Sequence, residues 1–309
     1  NEIGKLSYPQ SPELLYSPIE YIMGMQGKRM RPILVLMAHQ LFEENLDKAI
    51  SPALSIEVFH NFTLLHDDIM DKAPLRRGNA TVHEKWNDNV AILSGDTMMI
   101  QAYQLLSKVD DEKLKKVLDV FSKAAIEVCE GQQWDMDFET QNNVEISEYM
   151  KMIEYKTAVL LAASLQIGGI TGGASIQEQE NLYEFGRNIG IAFQLRDDLL
   201  DVFGDPDTFG KQVGGDIMSN KKTYLYLKAL EAASDKQKNE LEKYFSISDT
   251  STEKVTAVKK IFIDLKIQSF IIDLMKEYQM RAMMHLDAIG SSNKEPLIAF
   301  SEKLMDRIS

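Results

Sequence analysis

The chain has 309 residues, 44% of them hydrophobic and 26% charged, with a formal net charge of −13. This balance excludes a disordered chain, and the acidity argues against nucleic acid as a partner, because neutralising phosphates takes a basic surface. Length alone allows one large domain or two, and a single domain over 1–309 is expected.

The opening stretch "NEIGKLSYPQSPELLYSP" has neither the basic start nor the continuous apolar core of a signal peptide. The single Cys129 cannot form an intramolecular disulfide, which suits a reducing cytosol, and its place in "AAIEVCE" predicts a small buried side chain. A cytoplasmic protein is expected. Only eight prolines occur, with none between Pro74 and Pro206 or between Pro206 and Pro296. Such gaps, together with abundant Leu, Ala, Glu, Lys and Met, predict an all-α protein.

In "RPILVLMAHQLF" a proline sits where a first helical turn tolerates it, and Ile33, Leu36, Met37 and Leu41 recur at helical intervals. Further helical patterns cover 51–71, 90–107, 112–138, 146–168, 177–203, 222–232 and 253–287, separated by turns such as "TGGAS" and "SISDTST". The uncharged stretch from Thr157 to Gln177 has the length of a membrane span but carries glycine pairs and several polar residues. It reads as a buried helix ending in a glycine turn, so no membrane span is expected. The least helical internal region is 203–221, rich in Gly and Asp.

Within this order "LLHDDIMD" sets Asp67, Asp68 and Asp71 behind an apolar run, and "LRDDLLD" repeats the spacing with Asp197, Asp198 and Asp201. On a helix, positions i and i+4 share a face and i+1 lies about 100° round it, so each motif aims a pair of carboxylates one way with a third beside them. Two such helices packed antiparallel would make one acidic cleft. Carboxylates so close repel unless a cation sits among them. Hard oxygen donors without clustered His or Cys point to Mg²⁺ or Mn²⁺ rather than zinc, and magnesium commonly bridges carboxylates to substrate phosphates. Basic residues suited to phosphate oxygens stand near the first motif: Arg76 and Arg77 follow it, and "GKRMRP" supplies Lys28, Arg29 and Arg31 ahead of a helix.

In order along about 24–222, the blocks "GKRMRP", "HNFTLLHDDIMDKAPLRRG", "GQQWD", "YKTA", "FQLRDDLLD" and "GKQVGGDIMSNKK" resemble the trans-isoprenyl diphosphate synthases. That resemblance implies the all-α isoprenoid synthase fold, a helical bundle around a deep central cavity, in a homodimer. It implies condensation of isopentenyl diphosphate with an allylic diphosphate by ionisation, condensation and elimination. Asp67, Asp71 and Asp197 would be the main ligands of three Mg²⁺ ions, with Asp68, Asp198 and Asp201 completing the set and Mn²⁺ able to substitute. Arg76, Lys156 and Lys211 would contact the allylic diphosphate, with Lys221 and Asp216 in a loop that closes over it. Lys28, Arg31, His60 and Arg77 would bind the diphosphate of isopentenyl diphosphate at a metal-free site. Thr157 and Gln194 would place oxygen dipoles beside the allylic cation. Gln132 and Asp135 would line the same cavity, Asp135 orienting a lysine or a metal-bound water, and His66 would stand behind the metal ligands.

The resemblance also places Phe62, with Thr63 next to it, on the elongation pocket, where a bulky ring would form a floor. A twenty-carbon geranylgeranyl product is expected, with fifteen-carbon farnesyl as the alternative, and Trp134 would shorten the pocket further if it reached the cavity. A class I terpene cyclase would normally mix Asn, Ser, Thr and Glu into its second metal motif. A metal phosphohydrolase built on "HDD" would need more histidines than the five present. A non-catalytic subunit would not be expected to keep both aspartate motifs whole.

Overall fold

The computed structural model describes residues 2–141, 143–204, 214–247 and 249–305. Helices account for nearly all of its regular structure: α1 (Glu13–Gly24), α2 (Met30–Gln40), α3 (Asp47–Met70), α4 (Val82–Lys85), α5 (Asp88–Leu106), α6 (Asp111–Thr140) and α7 (Ile146–Ile153). A wide π-turn at Glu154–Ala158 runs into α8 (Val159–Gly172) and α9 (Ile176–Phe203). The remainder are α10 (Gly215–Met218), α11 (Tyr224–Ala232), α12 (Asp235–Phe245), α13 (Thr252–Asp264), α14 (Ile267–Asp287) and α15 (Glu295–Met305). The two strands described are two residues each, β1 (Leu75–Arg76) and β2 (Asn79–Ala80). Arg77 and Gly78 join them with positive φ at both positions, as a tight hairpin turn requires.

Two compact units divide the chain. Unit 1 holds 1–121, 164–179 and 291–293; unit 2 holds 122–163, 180–290 and 294–309. In unit 1, Ile56, Phe59 and Leu65 of α3 are buried, as are Ala91, Met98 and Ala102 of α5 and Leu34, Val35 and Ala38 of α2. Ile33, expected on the apolar face of α2, is 41% exposed. That face is turned by about 100°, because His39 lies buried with its ring bonded to Thr171 Oγ1 of α8 at 2.9 Å and to the Asn45 carbonyl at 3.0 Å. The helix expected from Thr157 onward does end in a glycine turn, with Gly173 at φ 92°.

In unit 2, one apolar cluster joins Phe138, Tyr149, Met152, Leu195, Leu199, Ile217, Leu225, Phe262, Ile271 and Met275. The single helix expected over 253–287 is two, α13 and α14, because Lys266 adopts a left-handed conformation with φ 55°. Cys129 is exposed rather than buried, its apolar neighbours Ala125 and Val128 taking the inward positions of α6. No described helix is long and apolar enough to cross a membrane.

Candidate active site

Unit 1 carries the first aspartate motif at the C-terminal end of α3 and, after it, the hairpin that presents Arg76 and Arg77. Arg76 grips the buried Asp68 with one hydrogen bond, Nε to Oδ2 at 2.7 Å, and an ion-pair contact of Nη2 with Oδ1 at 2.7 Å, a fork of charged contacts. Asp67 is half-buried and Asp71 exposed. The loop before α2 is fastened by Arg29, which pairs with the buried Glu57 and donates to the Met23 and Met25 carbonyls at 2.7 and 2.6 Å. Asn61 Nδ2 steadies Glu57 at 2.8 Å. Arg29 is thus spent on the loop itself, while Lys28 on that loop is exposed.

Arg31 and His60 meet on neighbouring helices, Arg31 Nη1 donating to His60 Nε2 at 3.2 Å. Burial, then the positive charge of Arg31, Arg77, Arg76 and Arg29, holds the His60 imidazole well below its ordinary range, so the ring is neutral at neutral pH. Burial likewise brings Arg31 down to about 10, and Arg77 is lowered by burial and by Arg29. Arg77 reaches this group because Gly27 leaves room: a Cβ there would lie 2.6 Å from the Arg77 guanidinium. The neutral histidine leaves the positive charge of this group to its arginines, with Glu57 the carboxylate that acts on both Arg31 and Arg77.

Phe62 packs edge-on against His66 and tilts against Phe59, with ring centroids 4.7 and 5.6 Å apart; Phe59 in turn abuts Phe121 at 5.1 Å. Thr63 Oγ1 donates to the His60 carbonyl at 2.8 Å. His66 turns toward α5, its Nε2 3.2 Å from the Ile92 carbonyl.

Unit 2 carries the second motif near the end of α9. A cavity of about 180 Å³ there is lined by Asp135, Lys156, Thr157, Gln194, Asp198 and Lys221, among others. Thr157 Oγ1 donates to Gln194 Oε1 at 3.1 Å, Gln194 Nε2 donates to Asp198 Oδ1 at 3.1 Å, and the Tyr149 hydroxyl donates to Asp198 Oδ2. Burial, then the charge of Asp216, pushes the Asp198 carboxyl well above the usual carboxylate range. Asp201 caps the start of α10, accepting from the Asp216 amide at 3.0 Å, and Asp197 accepts from Arg196 Nη2 at 3.1 Å.

Lys156 and Thr157 stand on the π-turn, and both line the cavity. Gly131 accommodates the wider turn, since a Cβ there would come within 2.3 Å of the Lys156 amide nitrogen. Asp135 pairs with Lys156, as a lysine-orienting role requires. Gln132 is buried, and among the described residues neither of its amide atoms has a hydrogen-bond partner. Trp134 does not line the cavity; it packs on Tyr155 at 5.2 Å with Lys151 over both rings. Lys211 lies outside the described residues. Tyr149 was not anticipated, although its position seven residues before Lys156, two helical turns away, could have flagged it.

A family model described as polyprenyl synthetase matches residues 12–263. The chain belongs to the polyprenyl synthetase family. It is accordingly a prenyltransferase, and its fold is the all-helical one of the prenyl synthases. A geranylgeranyl diphosphate synthase of Methanosarcina mazei is 46% identical over 222 residues, spanning 71% of this chain and 68% of that protein. A geranylfarnesyl diphosphate synthase of Natronomonas pharaonis is 40% identical over 245 residues, 73% and 72% of the two. A crystal structure of geranylgeranyl pyrophosphate synthase matches with a TM-score of 0.94 at 45% identity, covering 99% of this chain and 95% of that one.

The donor set of this family member fits magnesium. The carboxylates are hard oxygen donors, and the crowding of Asp198 by Asp216 and Asp197 is of the kind a divalent cation relieves. Among the described residues no three His, Cys, Asp or Glu side chains converge into a ready-made cage. Magnesium does not need one, because it keeps waters and takes substrate oxygens.

Proposed function

We propose that the chain joins isopentenyl diphosphate head to tail to an allylic diphosphate and stops at the twenty-carbon geranylgeranyl product. The observation that carries the reading is the unit 2 cavity, where hydroxyl and amide oxygens, Lys156, Lys221 and Lys222, and the second-motif carboxylate Asp198 line one space. That is the equipment for separating an anionic leaving group from a carbocation. The matched stretch 12–263 runs through both units, which supports treating 1–309 as one catalytic domain.

Asp67, Asp71, Asp197 and Asp201 would hold the magnesium ions, with Asp68 and Asp198 fixed by their protein partners as supports. When bound, magnesium supplies the positive charge that stabilises the departing diphosphate. Lys156, oriented by Asp135, and Lys221 add direct contacts to that group, and Arg76 remains within the first motif to do the same. Thr157 and Gln194 direct oxygen dipoles to the allylic carbon as the double bond of isopentenyl diphosphate attacks, and the released diphosphate takes the final proton. Lys28, Arg31, His60 and Arg77 bind the diphosphate of isopentenyl diphosphate without metal. Gln132 offers its amide to substrate.

Phe62, backed by Phe59 and Phe121, would form the floor. A homodimer is supported by Ile92, Leu93 and Ile100, exposed by 44%, 59% and 62% along α5. A cytosolic setting accords with a single cysteine. The test is incubation with labelled isopentenyl diphosphate and dimethylallyl, geranyl or farnesyl diphosphate, with and without Mg²⁺. Metal-dependent elongation is expected. No elongation from any primer would overturn the proposal in favour of a cyclase or a non-catalytic subunit.

A further inference from the structure

Lys254 is 1% exposed, and it stands in the first turn of α13, where the positive end of the helix dipole also disfavours a cation. Two costs fall on one ammonium, so its partners have to offset them. They are the Oδ1 of Asn220, which accepts a short bond from Nζ, the Ile247 carbonyl at 3.4 Å and the nearby charge of Asp249. The Phe245 ring lies 5.8 Å from Nζ. Asn220 closes the group by donating from Nδ2 to the same Ile247 carbonyl at 3.1 Å.

Asn220 is the left-handed residue, φ 59°, that follows α10, and Lys221 is the next residue and lines the cavity. The other end of α10 is already fixed. Asp201 of the second motif accepts from the Asp216 amide, and Gly214 packs where a Cβ would lie 2.5 Å from Val255 Cγ1. A four-residue helix has little stability of its own, so both ends depend on such outside contacts. One end is held by the aspartate motif and the other by Lys254.

We propose that Lys254 is a positioning residue: by holding the Asn220 side chain it fixes the end of α10 and hence the direction from which Lys221 enters the cavity. The proposal rests on the function given above for Lys221, that of a contact to the allylic diphosphate. It touches no substrate itself. It differs from a purely structural lysine in predicting an effect on one substrate only.

The test compares Lys254→Met, Asn220→Gly and the double variant with the intact chain. Asn220→Gly keeps the left-handed backbone accessible while removing the side chain that Lys254 holds. In steady-state assays with Mg²⁺, KM for geranyl diphosphate is expected to rise about tenfold in each single variant, as for loss of a charge-assisted hydrogen bond. KM for isopentenyl diphosphate stays within about twofold, and the double variant is no worse than either single one. Amide hydrogen exchange over 214–221, measured without substrate, is expected to be faster in all three.

Unchanged exchange, equal effects on both KM values, or additive effects in the double variant would overturn the proposal. Should Lys254→Met fail to fold, Lys254→Gln carries the same test, since Asn220 itself lines the cavity and its variant alone does not isolate the lysine. Faster exchange in a chain whose unmutated form does not elongate would leave the anchoring standing and sink the proposed function instead.

Discussion

Asp68 and Asp198 occupy the same place in the two aspartate motifs, and both are buried and engaged by protein groups: Asp68 by the Arg76 fork, Asp198 by the Tyr149 hydroxyl and the Gln194 amide. Their outer neighbours are more open, with Asp71 exposed and Asp67, Asp197 and Asp201 half-buried. Replacing Asp67 or Asp197 by Ala is therefore expected to cost orders of magnitude in kcat, through loss of the charge that stabilises the leaving group. Tyr149→Phe is a milder change. It leaves a buried carboxylate short of a donor, so a stability loss of about 1–3 kcal/mol is expected by urea unfolding, with a higher Mg²⁺ requirement for turnover.

His60 gives a pH prediction whose sign follows from its environment. Its pKa is depressed in the folded chain, so below the ordinary histidine value the unfolded chain binds the extra proton and the folded one does not. The stabilising contribution is present above that value and is lost as pH falls from it toward the lowered one. His60→Asn should weaken the dependence of unfolding free energy on pH over that window. An unchanged slope would contradict the account of a neutral ring among arginines.

At the scale of elements, the π-turn at Glu154–Ala158 carries Lys156 and Thr157, which both line the cavity. Apolar periodicity could not reveal it, because α7 has a clear apolar face while α8 is apolar on nearly every side, so no change of phase marks the extra residue between them. The break between α13 and α14 was hidden for the same reason, since a single left-handed lysine leaves the pattern on either side intact. Ile33 shows the complementary limit: composition says that a face of α2 is apolar, while the choice between two overlapping faces is made by the His39–Thr171 contact with a distant segment. Gly131 is the position on which the wide turn depends. Gly131→Ala should destabilise the chain by about 1–3 kcal/mol through overpacking and lower kcat more than a surface Gly→Ala control. Equal effects in the two would argue that the turn needs no such clearance.

For the whole molecule, the aspartate repeat, the arginine-rich blocks and their order were legible as sequence because each motif is local. What was not legible were the long-range partners that prepare those motifs: Tyr149 for Asp198, Glu57 for Arg29, Lys254 for Asn220. Each joins residues 28 to 49 positions apart. No periodic pattern reports such pairs. Product length is not legible from overall similarity either, since relatives named for different chain lengths are 40% and 46% identical to this chain.

The most direct test is to resolve the products of the unmutated chain and of Phe62→Ala by chain length, from farnesyl diphosphate and isopentenyl diphosphate, with and without Mg²⁺. The account predicts that the unmutated chain stops at twenty carbons only when Mg²⁺ is present, and that Phe62→Ala runs past that length. Identical products from the two, or elongation without Mg²⁺, would contradict it.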